Sequence, residues 1–155
     1  MSLRVRGIPT DAFSQLREGG ADANGDAPIV MMAEGGANPC RHCLGLISDG
    51  EPKLVLSYRP FEGAPQPYAE TGPIFLHKSD CARYDAGELP RWFAHMDHAA
   101  IRGYTPEGWI RYDTGRIVRG SELTEAASAI LEQEGVAYVH IRSKFGCFQC
   151  RVDRA

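Results

Sequence analysis

The sequence contains no long apolar run. Its apolar stretches fall well short of the ~20 residues that a helix needs to cross a membrane. The N-terminus also lacks the apolar core of a secretory signal peptide. We therefore expect a protein that is not inserted in a membrane and that is located in the cytoplasm.

A surplus of basic residues is missing as well. Lys and Arg number 17 against 20 Asp and Glu, which gives a formal net charge of -3. Because binding to the phosphates of a nucleic acid normally requires a basic surface, this balance argues against nucleic acid as the main partner. Local groups of arginine side chains could still bind a small anionic molecule.

The sequence also lacks the regular alternation of strands and helices that is typical of a parallel α/β fold. With 155 residues and 43% hydrophobic content, it is long enough for one core. We predict a single domain over 1–155 with an exposed loop at 19–28, and we assign no role to 1–3, which are typical of a remnant of recombinant expression. The expected fold class is α+β, with a mainly antiparallel sheet or a partly closed barrel and two to three short helices packed on it.

Short runs of β-branched and aliphatic residues predict the strands. These runs lie at 29–33, 54–59, 73–77, 136–142 and 144–152. Pro60 ends the second run because proline has no N–H group to donate to a sheet. In the fourth run, alternation places Tyr138, His140 and Arg142 on one face of the strand.

Helix and turn signals are fewer. Thr10 is a candidate N-cap for a short helix, and Ser121 is a candidate N-cap for a longer one. Pro90 suits the first turn of a helix over 89–98. Asp113-Thr114-Gly115 lies between two apolar segments and predicts a hairpin turn.

Two Cys-x-x-Cys pairs stand out among the five cysteines. The thiolates of Cys40, Cys43, Cys147 and Cys150 are enough for a tetrahedral zinc site. Gly45 fits this interpretation of the first pair, because a glycine lets backbone N–H groups turn toward the sulfur atoms. The second pair fits less well, since residues three apart on a strand face opposite sides. Buried reduced thiols and a reversible Cys40–Cys43 disulfide are the alternatives to zinc.

A second group of polar side chains lies in and beyond the segment 54–81. We predict that seven of them form a pocket for a small anionic molecule: Tyr58, Arg59, Tyr68, Glu70, His77, His140 and Arg142. Arginine binds carboxylates and phosphates through two parallel N–H groups, and tyrosine lines a pocket while keeping a hydroxyl donor. The same residues fit a polar sheet face with Arg–Glu pairs, which contribute little to stability. His77 and Cys81 are four residues apart, which on a helix would place them on one face as metal ligands or as a base and nucleophile pair. Because a turn is expected between them, the favoured interpretation is a strand-end histidine and an isolated buried thiol.

Several segments, taken together, resemble a known family. They are PCRHCL at 39–44, LSYRPF at 56–61, YAETGPIFLH at 68–77, VAYVHIRS at 136–143 and GCFQCRVDRA at 146–155. Their order resembles that of the bacterial domain-of-unknown-function family 1203. The resemblance implies a small bacterial protein in which these segments form one recurring unit. It implies no established activity, so no catalytic residue is carried over.

Three functional hypotheses follow. The first is a domain that binds a small molecule or anion, with or without enzymatic activity. The second is a zinc-stabilised structural or interaction module, with zinc as the one candidate cofactor. The third is a thiol redox protein.

Overall fold

The computed structural model describes residues 1–155. In chain order its main elements are β1 (Leu3–Arg6), α1 (Thr10–Arg17), β2 (Ile29–Met32), β3 (Pro52–Tyr58), β4 (Gly72–His77), β5 (Asp85–Ala86), β6 (Ala99–Tyr104), β7 (Ile110–Val118), α2 (Leu123–Leu131), β8 (Tyr138–Ser143) and β9 (Phe148–Arg154). The 3-10 turns Arg91–His95 and Gly120–Glu122 complete the list. None of the helices is long and apolar enough to cross a bilayer.

The chain divides into two compact units. Unit 1 comprises 1–6, 61–69 and 85–155, whereas unit 2 comprises 7–60 and 70–84. The strands form one sheet of six and one sheet of three, and all pairs are antiparallel. This confirms the predicted α+β class, and of the two predicted forms the open sheet is the one found. The single domain stays a prediction.

Unit 1 is built on the six-stranded sheet, in the order β5-β1-β9-β8-β6-β7. One face packs against α2, whose buried residues include Ala127, Ile130 and Leu131. Leu3 and Val5 of β1 are also buried, so the chain start contributes to the sheet. The interpretation of 1–3 as a remnant of recombinant expression stays a prediction, although Leu3 packs in the sheet.

The predicted hairpin at 113–115 is absent, because these residues lie within the single strand β7. The register between β6 and β7 shifts between Ile101 and Gly103. At this shift Thr114 is buried, and its hydroxyl accepts from the Gly103 N–H over 2.7 Å and donates to the Arg111 carbonyl over 2.6 Å. The turn-forming residues are therefore accommodated in a bulge, which is a common place for them within a strand.

The helix signals also mark positions different from those predicted. Pro90 precedes a 3-10 turn that ends at His95, so the predicted helix over 89–98 is wrong. Pro9 occupies the N-cap of α1, and the hydroxyl of Thr10 lies within hydrogen-bond distance of His42. Ser121 lies inside a 3-10 turn ahead of α2.

Unit 2 holds the three-stranded sheet, in the order β2-β3-β4. β3 and β4 pair from Lys53–His77 to Tyr58–Gly72, and this hairpin buries Leu54, Leu56, Ile74 and Leu76. All four residues of β2 are exposed. A bridge between Cys40 and Phe75 fixes the loop that follows β2 against β4. This bridge brings the first Cys-x-x-Cys pair to the end of β4.

Candidate metal centre

Residues 39–46 form a tight loop, here called the knuckle, that directs backbone N–H groups at sulfur. The Cys40 N–H donates to the Gly45 carbonyl over 2.9 Å, which closes the loop. The Gly45 N–H lies 3.4 Å from Cys43 Sγ. The left-handed residue is Leu44, with a φ of 55°, and not the glycine. A leucine is uncommon in this region, so the knuckle holds its backbone in a conformation that the residue does not prefer.

Four side chains of unit 2 converge beside the knuckle and are called here the donor cluster: Cys40, Cys43, His77 and Cys81. Their possible ligand atoms all lie within 4.8 Å of one another. Cys40 Sγ lies 3.9 Å from Cys81 Sγ, and Cys43 Sγ lies 3.5 Å from His77 Nδ1. A tetrahedral zinc ion with Zn–S bonds of ~2.3 Å and Zn–N bonds of ~2.0–2.1 Å separates two sulfurs by ~3.8 Å and a sulfur from a nitrogen by ~3.5 Å. Both separations match this geometry.

The thiols of the donor cluster differ strongly in acidity. Hydrogen bonding from the Cys43 side chain lowers the pKa of Cys40 to about 4, with help from the backbone N–H groups of His42, Cys43 and His77 and against the effect of burial. The pKa of Cys43 is raised by its hydrogen bond to Cys40 and by burial. Burial and the negative charge on Cys40 raise the pKa of Cys81 to about 12. One thiolate forms readily, and further ionisation requires a positive charge, such as a metal ion, between the sulfurs.

His42 lies between Cys40 and Cys43 in the chain, yet its side chain contacts Cys81. Its Nδ1 is 3.3 Å from Cys81 Sγ, and its Nε2 is 2.9 Å from Thr10 Oγ1. Phe13 stacks on the imidazole at a centroid distance of 3.9 Å and an interplanar angle of 10°. Burial lowers the pKa of His42, so the ring is neutral near pH 7.

A family model described as "Protein of unknown function (DUF1203)" matches residues 37–154. The chain belongs to the DUF1203 family. No curated protein and no solved structure matches the chain. The DUF1203 match includes the knuckle and the whole donor cluster, but it gives none of these residues a role.

The cysteines predicted as ligands are divided between the two units of this DUF1203 chain. Cys40 and Cys43 lie in unit 2, whereas Cys147 and Cys150 lie in unit 1, just before and within β9. The first pair is joined by His77 and Cys81, for which a strand-end histidine and an isolated thiol are favoured from the sequence over metal ligands. Metal binding by Cys147 and Cys150 stays a prediction. The spacing of four between His77 and Cys81 lies in the range typical of zinc ligand pairs, but the turn expected between them outweighs this signal in the sequence.

The residues of the predicted anion pocket are divided in the same way. Four belong to unit 2 and three to unit 1: Tyr58, Arg59, Glu70 and His77, then Tyr68, His140 and Arg142. Tyr68 contacts the rings of Trp109 and Tyr112, at centroid distances of 5.6 and 6.3 Å. His77 is part of the donor cluster. The pocket as a whole stays a prediction.

His140 is the most enclosed of these residues. Its side chain is 0% exposed, and four aromatic rings surround it at centroid distances of 4.7 to 5.2 Å: Phe61, Tyr104, Tyr138 and Phe148. Neither ring nitrogen has a hydrogen-bond partner within the protein. Burial, reinforced by the positive charges of Arg142, Arg151 and Arg102, lowers the pKa of His140 well below 6.5. His140 is therefore a neutral core residue at pH 7.

Proposed function

We propose that this protein is a zinc-binding domain in which the donor cluster holds one Zn²⁺ ion through Cys40, Cys43, His77 and Cys81. The observation that carries the proposal is the convergence of four donor atoms, from two separate chain segments, within 4.8 Å of one another, with two of their separations at tetrahedral spacing. Three sulfur atoms and one imidazole nitrogen favour zinc over magnesium or calcium, which prefer oxygen ligands.

A structural role suits this site better than a catalytic one. Catalytic zinc normally has three protein ligands and an open position for water or substrate, whereas structural zinc has four protein ligands. The donor cluster supplies all four. Cys40 is buried, and the other three ligands are only half-buried, which leaves the metal a path to the site. The ion would join the knuckle to the end of β4 and to the segment that follows it.

Metal analysis tests this proposal directly. Protein purified without added metal is expected to contain about one equivalent of zinc, because four protein ligands at such a site bind zinc tightly. The Cys43→Ser and His77→Ala variants are expected to lose it. Cys147→Ser is the matched control, since it removes a half-buried cysteine of a Cys-x-x-Cys pair outside the donor cluster, and it should retain full zinc content.

Two outcomes would overturn the proposal. One is a wild-type protein that contains no zinc and takes up none from added zinc chloride. The other is a Cys147→Ser variant that loses zinc as completely as Cys43→Ser, which would favour the set of four cysteines instead.

A second candidate function is reversible thiol oxidation in the zinc-free protein. The sulfur atoms of Cys40 and Cys81 are 3.9 Å apart, so Cys81 joins Cys43 as a candidate disulfide partner of Cys40. Hydrogen peroxide would oxidise the Cys40 thiolate to a sulfenic acid and be reduced to water once a proton is taken up. A neighbouring thiol would then attack that sulfur, forming the disulfide and releasing a second water.

We expect hydrogen peroxide to remove two free thiols from the zinc-free protein and to leave the zinc-loaded protein unchanged. Zinc protects because the metal holds the sulfur lone pairs that would attack the oxidant. Thiol titration followed by peptide mapping measures both the loss and the pairing. An unchanged thiol count in oxidised zinc-free protein would eliminate this candidate.

A further inference from the structure

We infer that His42 is a positioning residue that holds the sulfur of Cys81 in place for the metal, and that Thr10 fixes the orientation of the His42 ring. This inference rests on the proposed zinc site. It extends that site beyond its four ligands to two residues that would not touch the ion.

The direction of the hydrogen bonds follows from the chemistry of the partners. A metal-bound thiolate can only accept, so the His42 Nδ1 that lies 3.3 Å from Cys81 Sγ must carry a proton and donate it. The other ring nitrogen, Nε2, lies 2.9 Å from the Thr10 hydroxyl, which can donate to it or accept from it and so gives it a partner in either case. The Thr10 contact therefore fixes the ring in the orientation in which Nδ1 is directed at the sulfur.

The His42 ring is also fixed mechanically. It is 1% exposed, and Phe13 stacks on it from α1, the same helix that carries Thr10. The segment before α1 is hydrogen-bonded to the knuckle, because the Ile8 N–H donates to the Arg41 carbonyl over 2.8 Å. At Gly7 a Cβ atom would collide with the His42 carbonyl oxygen, so this close approach requires glycine. The beginning of α1 and the knuckle thus hold the imidazole from both sides.

Cys81 is the ligand that most needs such support. Cys40 and Cys43 are held by the knuckle, and His77 is held by its pairing with Lys53 at the end of β4. Cys81 lies outside any strand or helix, and its backbone N–H bonds only to the side chain of its neighbour Asp80. Hydrogen bonds from surrounding residues orient metal ligands, and their loss typically weakens metal binding about 10- to 100-fold.

The test compares two substitutions of one residue. His42→Phe keeps a flat ring to stack on Phe13 but removes the donor, whereas His42→Asn places an amide N–H near the position of Nδ1. We expect zinc affinity, measured by competition with a chromophoric chelator, to fall about 10- to 100-fold in His42→Phe and to recover largely in His42→Asn. Cobalt-substituted His42→Phe should also show a weakened or shifted thiolate-to-metal charge-transfer band, because the Cys81 bond to the metal has changed.

Thr10→Val provides an independent route if His42→Phe does not fold. It removes the hydroxyl that orients the ring, leaves His42 in place and should weaken zinc binding by a smaller factor. Circular dichroism of the metal-free variants checks that the fold is retained. The inference is overturned if the wild type binds zinc and both His42→Phe and Thr10→Val match its affinity and its cobalt spectrum. If the wild type binds no zinc, the proposed function itself has failed.

Discussion

Removal of zinc is expected to lower the free energy of unfolding of unit 2 by about 4 kcal/mol or more. A ligand that binds only the folded state stabilises it by about 4 kcal/mol when its concentration is 1,000 times its dissociation constant. Structural zinc sites often bind more tightly than this, and their binding free energy contributes directly to folding. We expect unit 2 to need such a contribution because its sheet has three strands, one of which is exposed at all four positions.

Chelator titration combined with hydrogen exchange measures this effect where it should occur. Amides of the knuckle and of the segment 72–84 are expected to lose protection when zinc is removed and to regain it when zinc is returned. Cys43→Ser should show the unprotected pattern with or without zinc. Cys147→Ser should respond to the chelator as the wild type does. Exchange rates and melting temperature that do not change on chelation would mean that the fold of unit 2 needs no metal.

Patterns that depend on neighbouring residues predicted much of the fold. The five apolar runs identified as strands correspond to β2, β3, β4, β8 and β9. The segment at 113–115 shows the limit of such patterns, because Asp-Thr-Gly is compatible with a turn and with a bulge. The choice depends on Gly103, eleven residues away on β6, whose N–H bonds to the Thr114 hydroxyl.

The candidate metal centre was half predictable from the sequence for the same reason. The spacing of Cys40, Cys43 and Gly45 predicts a knuckle from eight consecutive residues, and the knuckle is present. His77 joins it because β4 pairs with β3 and because Cys40 bridges to Phe75. Neither contact has a signature in the local sequence. Cys147 and Cys150 in unit 1 repeat the spacing of Cys40 and Cys43. The sequence therefore favours them over His77 and Cys81 as the other two ligands.

His140 shows that the sequence of a strand predicts which face a residue lies on but not whether that face is buried. Alternation along β8 indicates that His140 shares a side with Tyr138 and Arg142, but it does not indicate what covers that side. The cover comes in part from Phe61, which is far from β8 in the chain, and from Phe148 on β9. The result is a buried imidazole whose nitrogens have no partner within the protein, which costs free energy.

The His140→Leu variant is expected to flatten the dependence of stability on pH below about 6.5. In the unfolded chain a histidine takes up a proton near pH 6.5, but burial and the nearby arginines keep folded His140 neutral far below that pH. The unfolded state therefore binds more protons as the pH falls. Stability is fully present above the unfolded pKa and decreases below it by up to about 1.4 kcal/mol per pH unit.

Urea denaturation of both zinc-saturated proteins at pH 7.5 and pH 5.0 measures this difference, which should reach about 2 kcal/mol. All other titratable groups are common to the two proteins, so their contributions cancel in the comparison. At pH 7.5 the variant should be at least as stable as the wild type, because the substitution removes two buried polar atoms that lack partners. His95→Gln is the matched control, since it removes an exposed histidine outside the ring of aromatic residues around His140, and it should lose as much stability as the wild type between the two pH values. Equal losses of stability in wild type and His140→Leu would show that His140 takes up a proton in the folded protein, which requires a group near it that can stabilise the charge.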